Sequence, residues 1–341
     1  MSDARESLRL ARKPTQRTIA EITGLAVTTV SRALAGDEKI AERTRAQVAE
    51  VAREIGYVPD RAAQRLRTGR SNVIALVLDP HSEILGFSSS MISGISGVLH
   101  DTTFHLVLMQ YAIDEPPMDP IRRIVRNRLA DGLILARTEP QDPRVAYLMR
   151  TGFPFVTHGR TEMAAHPWLD YDNAAFARMA VERLVGAGRR RLALVAPAPK
   201  YSFNAHMREG FRAAVAAHGV TGLVAQGFTI HDTPGAITCG VREMAQGAEA
   251  PDGWICPGEI AAMAVQAGLT DCGQVIGRDV DLVAKQTSEV GNLFRPRLTA
   301  IYEDIEEAGR RLAQLLLARI RGEDPAALHH LQIPVWAGED G

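Results

Sequence analysis

The chain has 341 residues, 46% hydrophobic and 23% charged, with a formal net charge of −1; that balance suits two or three packed domains and excludes a chain disordered throughout. No run approaches the ~20 apolar residues of a membrane helix, the first residues lack the apolar stretch of a secretory signal, and Cys239, Cys256 and Cys272 are too scattered for a disulfide framework, reading instead as small hydrophobes in a reducing cytoplasm. The near-neutral total hides an asymmetry, since residues 1–70 carry a net +5 and the remainder a net −6, so only the head is suited to a polyanion.

The head reads as three short helices. Thr15 is a natural N-cap for a run carrying Ile19, Ala20 and Ile22, which stops at Gly24. A second helix follows from Val27 to Ala35, with Val30, Ala33 and Leu34 on one side, and ends at Gly36. A third, Glu42 to Ile55, places Val48, Val51, Ala52 and Ile55 at helical spacing before Gly56-Tyr57-Val58-Pro59. Three short helices with a tight glycine turn between the first two predict a helix-turn-helix. Asp60 to Thr68 is helical in composition, yet too short and too polar to be stable alone. It suits a segment that folds on binding, and equally a plain linker whose Leu66 packs on the next domain.

From Ser71 the chain alternates apolar, β-branched runs with helical stretches. Strands are expected at 73–78, 105–109, 131–135, 153–158, 191–196, 253–256 and 281–284. Helices are expected at 91–99, 121–128, 174–186, 208–218 and 260–267. The rhythm predicts parallel sheets with helices on both faces, and its length predicts two doubly wound lobes with a cleft between them.

Several stretches carry a family resemblance. Pro14-Thr15-x-x-x-Ile19-Ala20, Thr29-Val30-Ser31-Arg32-Ala33-Leu34-Ala35-Gly36, Thr44-Arg45 and Gly56-Tyr57-x-Pro59 resemble the headpiece of the LacI/GalR repressors. Further along, Asp131-Gly132-x-Ile134-Leu135, Pro154-x-Val156, Asp172-Asn173, Gly188-Arg189-Arg190-x-Leu192-Ala193-Leu194, Glu209-Gly210-Phe211-Arg212 and Pro296-x-Leu298-Thr299-Ala300-Ile301 are similar to the sensor domain of that family. The resemblance implies a DNA-binding headpiece (1–58), a hinge helix or linker (59–70) and a periplasmic-binding-protein-like α/β sensor (71–341). Within the sensor it implies one lobe from 71–170 and 302–330. The other lobe takes 171–301 and 331–341, including a final strand from Leu331 to Trp336.

For the head, the resemblance implies that Val27, Thr28 and Arg32 read base edges, with Arg32 suited to a guanine and Val27 to a thymine methyl. Thr15, Thr29, Ser31 and Thr44 suit phosphate contacts. Leu66 takes the place of the leucine that wedges into the minor groove, with Arg61, Ala63 and Arg67 beside it on the DNA. Ala26 and Ala41 stand where the family has capping serines, so those two helices lack that cap. Implied partners are double-stranded operator DNA, a carbohydrate-like effector and a second copy of the chain; no cofactor, metal or membrane is implied.

Sugar sites pair aromatic faces with planar polar groups. Candidates by position are Phe87, Arg160, Asp172, Asn204, Arg208, Trp254, Glu259 and Gln286, with His158, His206 and Lys285 as weaker additions. Phe87 and Trp254 equally suit ordinary core aromatics, and Arg160 a rim ion pair. The family's Asn-Asp is replaced by Gly258-Glu259 and its Gly-Phe-Asp by Ala284-Lys285-Gln286, which predicts an altered effector. No P-loop, G-x-S-x-G, H-E-x-x-H or His/Cys cluster at metal spacing occurs, so no enzyme is expected. A regulator is the leading expectation, a repressor before an activator. A sugar-binding receptor without DNA function is the alternative, and the basic headpiece speaks against it.

Overall fold

The computed structural model describes residues 14–58, 69–78, 86–110, 116–163, 165–293 and 297–338. The chain divides into two compact units between residues 71 and 72.

The first unit holds α1 (Gln16–Thr23), α2 (Val27–Leu34) and α3 (Glu42–Glu54). The Thr15 hydroxyl accepts the Thr18 N–H at 3.3 Å, and the Thr18 hydroxyl accepts the Thr15 N–H at 3.1 Å, a reciprocal cap. Gly24 then turns the chain at φ 71°, a left-handed conformation that costs glycine little. Ala26 and Ala41 provide no side-chain cap, so α2 and α3 are held mainly by packing. Ile19, Val30, Ala33, Val48 and Ala52 form the small core, with Leu25, Leu34, Ile40, Val51, Ile55 and Tyr57 around it.

The second unit is built on two six-stranded sheets. The first contains β1 (Val73–Leu78), β2 (His105–Gln110), β3 (Gly132–Ala136), β4 (Phe155–His158), β5 (Trp168–Tyr171) and β11 (His329–Gln332), in the order β11-β5-β4-β3-β1-β2 and parallel throughout. The second contains β6 (Arg191–Leu194), β7 (Thr221–Val224), β8 (Gly253–Cys256), β9 (Asp281–Gln286), β10 (Thr299–Tyr302) and β12 (Val335–Trp336), in the order β12-β10-β9-β8-β6-β7; β12 alone runs antiparallel. Central strands such as β3 (Leu133, Ile134, Leu135) and β8 (Trp254, Ile255, Cys256) are buried on both faces, which is why they read as continuous apolar runs.

Helices α4 (Phe87–Leu99), α5 (Met118–Asn127), α6 (Pro143–Thr151) and α11 (Ile305–Arg321) belong with the first sheet. Helices α7 (Asn173–Gly186), α8 (Ser202–His218), α9 (Pro234–Ala245) and α10 (Glu259–Asp271) belong with the second. Helices α4 and α11 meet at two glycines: a Cβ on Gly94 would collide with the Glu306 carbonyl, and one on Gly309 with the Met91 carbonyl.

Three features differ from expectation. The final strand is not one strand in the second lobe. His329–Gln332 pairs with β5 in the first sheet, and only Val335–Trp336 joins β10 in the second. Pro334 between them has no N–H for a ladder, so the chain breaks there and changes sheets. Helix α8 begins at Ser202, six residues before the expected Arg208. Elements β5, β7, β10, α6, α9 and α11 were not anticipated.

The chain crosses between the sheets three times, near Tyr171–Asn173, Tyr302–Ile305 and Gln332–Val335, and the crossings are tied to one another. The Asp172 N–H donates to the Gln332 carbonyl at 2.9 Å, Gln332 Nε2 to the Asp304 carbonyl at 3.0 Å, and the Tyr171 hydroxyl to the Tyr302 carbonyl at 3.2 Å.

Candidate functional site

On the first unit, Val30 and Ala33 anchor α2 to the core while Val27, Thr28 and Arg32 are exposed. Thr29, Ser31 and Thr44 are half-buried. The 3.6-residue period thus leaves the expected reading positions available on one helix. Thr15 caps α1 with the hydroxyl that was also assigned to phosphate. Arg61, Ala63, Leu66 and Arg67 lie outside the described residues.

In the second unit, a cleft of about 430 Å³ opens between the sheets. It takes Leu78, Ala136, Arg137, Thr138, His158, Gly159, Asp170 and Tyr171 from the carboxyl ends of β1, β3, β4 and β5. From the other lobe it takes Phe203, Ile230, Pro257 and Lys285. Parallel sheets place ligands at such ends, where the strand order reverses; β1, between β2 and β3, and β6, between β7 and β8, are those points here. Phe87, Ser88 and Ser89 of α4, with Asn173 and Glu303 at two crossings, complete the wall.

The floor is polar and tightly paired. Lys285 Nζ lies 2.8 Å from Glu303 Oε2, 3.0 Å from Asn173 Oδ1 and 4.2 Å from the centre of the Tyr171 ring. Its ammonium therefore ties two crossings together. The His158 imidazole stands 5.7 Å from the Phe87 ring and 3.8 Å from Glu303. Burial pushes its pKa down; Lys285 adds to this and Glu303 opposes it.

Beside them, Asp170 Oδ2 is 3.0 Å from Arg160 Nε and 3.8 Å from His206 Nδ1, so an acid and an arginine of the first lobe meet α8 of the second. Burial raises the Asp170 carboxyl to about 7; Arg160 opposes the shift and Glu303 reinforces it. Burial and Arg160 lower the pKa of His206. The Ser202 N–H donates to the Thr138 carbonyl at 2.9 Å, a second link across the cleft mouth. The loop that bears Thr138 is fixed from behind by buried Arg144, which pairs with Asp142 at 2.7 Å and donates to the carbonyls of Ala136 and Arg137.

Of the eight effector candidates, Phe87 lines the cleft, as do His158 and Lys285 among the weaker three. Arg160 and His206 reach it through Asp170. The others lie outside that lining. Trp254 is fully buried among Ala193, Val195, Ile237 and Ala261, on the helix-covered face of a central strand. Asp172 caps α7 by accepting the Ala175 N–H at 2.8 Å. Asn204 donates to the Pro197 carbonyl. Both Glu259 carboxylate oxygens are taken by the backbone and hydroxyls of Thr287 and Ser288. Gln286 donates to the Ser288 carbonyl, and Arg208 is half-buried outside the lining. Missed were Arg137, Thr138, Asp170, Tyr171, Asn173, Phe203 and Glu303. Arg137 and Glu303 follow directly on strand ends, a signal that was present.

Known proteins share this arrangement. Residues 16–60 match the model for bacterial regulatory proteins of the lacI family, and residues 181–337 match that for a periplasmic binding protein-like domain. The regulator AglR of Rhizobium meliloti is 30% identical over 315 residues, spanning 89% of this chain and 86% of its own. The chain belongs to the lacI family. This lacI-family member is also 27% identical to the regulator RafR of Escherichia coli, over 94% of the chain and 96% of the relative. Among solved structures it is similar to the CelR–cellobiose complex, with 25% identity, a TM-score of 0.68, and 95% and 98% of the two chains covered. The lac repressor dimer bound to operator and the anti-inducer ONPF has the same fold, with a TM-score of 0.81, 19% identity and the same coverage. The protein is accordingly a helix-turn-helix transcriptional regulator with a sensor domain, and among the described residues no helix is long and apolar enough to cross a membrane.

Proposed function

We propose that this regulator is a cytoplasmic, homodimeric repressor whose operator affinity is set by a neutral sugar or short oligosaccharide in the cleft. The carrying observation is the cleft's chemistry. Rings of Phe87 and Phe203 stand with Asp170, Asn173 and Glu303, the aromatic faces and hydroxyl-accepting groups that a sugar needs. Lys285, whose ammonium would favour an acidic ligand, is already neutralised by Glu303 at 2.8 Å. An anionic sugar would have to displace that carboxylate or sit against it. The relatives agree in kind, since CelR was solved with cellobiose and a ribose operon repressor is 23% identical over 314 residues.

The effector acts by binding two lobe arrangements unequally, because equal binding shifts nothing. A second copy is supported by β2, the outer strand of its sheet, which leaves Val107 and Leu108 exposed at 41% and 51%. Paired headpieces then read a pseudo-palindrome.

The test screens neutral mono- and disaccharides, the matching uronic acids and the sugar phosphates by thermal shift, and then titrates each stabilising compound against a protein–operator complex. Stabilisation by neutral sugars together with altered operator binding and altered transcription in vitro supports the proposal. Stabilisation by the acids or phosphates alone overturns the ligand class. Weak DNA binding with a flat salt dependence overturns the operator reading.

A further inference from the structure

Beyond the effector cleft, the most informative unassigned contact lies at the end of α2. Arg32 occupies its last turn, and the chain reverses through Gly36 so that the Asp37 N–H donates to the Arg32 carbonyl at 3.1 Å. This return places Asp37 Oδ2 2.8 Å from Arg32 Nε. The carboxylate is itself held in place: Oδ1 accepts the Lys39 N–H at 2.9 Å, and the Asp37 carbonyl accepts the Ile40 N–H at 3.0 Å. Arg45 Nη1 braces the same turn by donating to the Ile40 carbonyl at 2.8 Å. The Arg32 guanidinium, in turn, holds the Asp37 carboxyl below the usual carboxylate range.

An arginine reads a guanine by pairing two N–H groups with O6 and N7. Either the Nε and Nη edge or the two Nη groups supply that fork. With Nε committed to Asp37, only the two Nη groups remain for a base. A fixed partner also spares the long side chain part of the rotamer entropy that ordering at the interface costs. A negative charge beside the reading surface further repels phosphates and weakens attachment to any DNA that cannot offer the right base.

We propose that Asp37 is a positioning and specificity-determining residue for operator recognition: it holds Arg32 for end-on reading of a guanine and opposes sequence-independent binding. This rests on Arg32 reading a base, and the experiment separates the two ideas.

The full-length protein is used to select from a randomised duplex library, and the same selection is run with Arg32→Ala, Asp37→Ala and Asp37→Asn. Binding to a scrambled duplex is then measured against salt, and each variant's thermal midpoint is recorded. Arg32→Ala is expected to erase the preference at one guanine pair in each half-site. Asp37→Ala is expected to reduce that same preference about tenfold while binding the scrambled duplex more tightly and with a steeper salt dependence, by about one charge per headpiece. Asp37→Asn has one carbonyl oxygen where Asp37 uses two, for the Lys39 N–H and for Arg32; it keeps one of those contacts, and so retains part of the preference while losing the repulsion. A merely structural role would lower the thermal midpoint and weaken all duplexes alike, without altering which base is chosen. An unchanged preference in Asp37→Ala, with the preference lost in Arg32→Ala, overturns the role of Asp37 alone. An unchanged preference in Arg32→Ala overturns both.

Discussion

Lys285 holds Glu303, Asn173 and the Tyr171 ring at once, in a space where its side chain is 6% exposed and that of Glu303 5%. Removing one member of such a pair costs more than removing both, because the survivor stays charged, buried and alone. Lys285→Met is therefore expected to destabilise the protein by about 3–5 kcal/mol. The double variant Lys285→Met, Glu303→Gln should recover most of that loss in chemical denaturation. A double variant no better than the single one would show that Lys285 acts through packing alone. Asp170 gives a prediction of a different kind. Its folded value of about 7 lies above the ordinary 3.8, so the folded state binds the extra proton between those limits. Stability contributed by the protonated acid is complete below about pH 4 and is lost as pH rises through 7, by on the order of 2–4 kcal/mol. Asp170→Asn should abolish that part of the decline between pH 5 and 8; an unaltered pH profile would place the titration elsewhere. Neither residue was equally legible beforehand. Lys285 stood out as a departure from the family pattern, but its partner Glu303 is 18 positions away in sequence and is brought near only by the β9–β10 register. Asp170 sits in a four-residue strand, too short to show an alternation.

At the scale of elements, the contact between α4 and α11 depends on the absence of two side chains. Alanine at position 94 gains about 1 kcal/mol in helix propensity but drives a methyl into the Glu306 carbonyl, and overpacking of this kind costs about 1–3 kcal/mol or more. Gly94→Ala is thus expected to lower the stability of the sensor by about 1–2 kcal/mol, measured by denaturation, whereas Gly97→Ala on the same helix, where a Cβ meets open space, should be neutral or stabilising. Equal effects at the two positions would refute the close-approach account. The long apolar strands and the first helices were readable because their periods are regular over several turns. Three helices escaped notice although their start signals are present: α11 has the Asp304 cap with Glu307 in its first turn, and for α6 and α9 Asp142-Pro143 and Thr233-Pro234 each supply a cap followed by proline in the first turn. Read as loop punctuation, the same dipeptides hide a helix. Strands β5 and β7 have four residues each, and tertiary pairing rather than local propensity makes them strands.

For the whole molecule, two headpieces must act together if a short three-helix unit is to select one genomic site. Linking two binding modules multiplies affinity by about 10² to 10⁴ through effective concentration alone. The exposed edge of β2 offers a place for that linkage, since an edge strand with unpaired backbone and apolar side chains is a pairing surface unless it is charged or covered. Leu108, at 51% exposure, makes few contacts to lose within its own chain. Leu108→Glu should therefore fold with an unchanged thermal midpoint in dilute solution and retain the thermal shift given by the wild-type effector. Its mass in sedimentation is expected to halve at micromolar concentration. Its affinity for the selected operator should fall at least a hundredfold, with a salt slope about half that of the wild type, because one headpiece releases half the counterions. A dimer that persists in Leu108→Glu would move the interface away from β2. A monomer that retains full operator affinity would remove pairing from the recognition mechanism altogether, and with it the reason for coupling lobe angle in the sensor to the spacing of two reading helices.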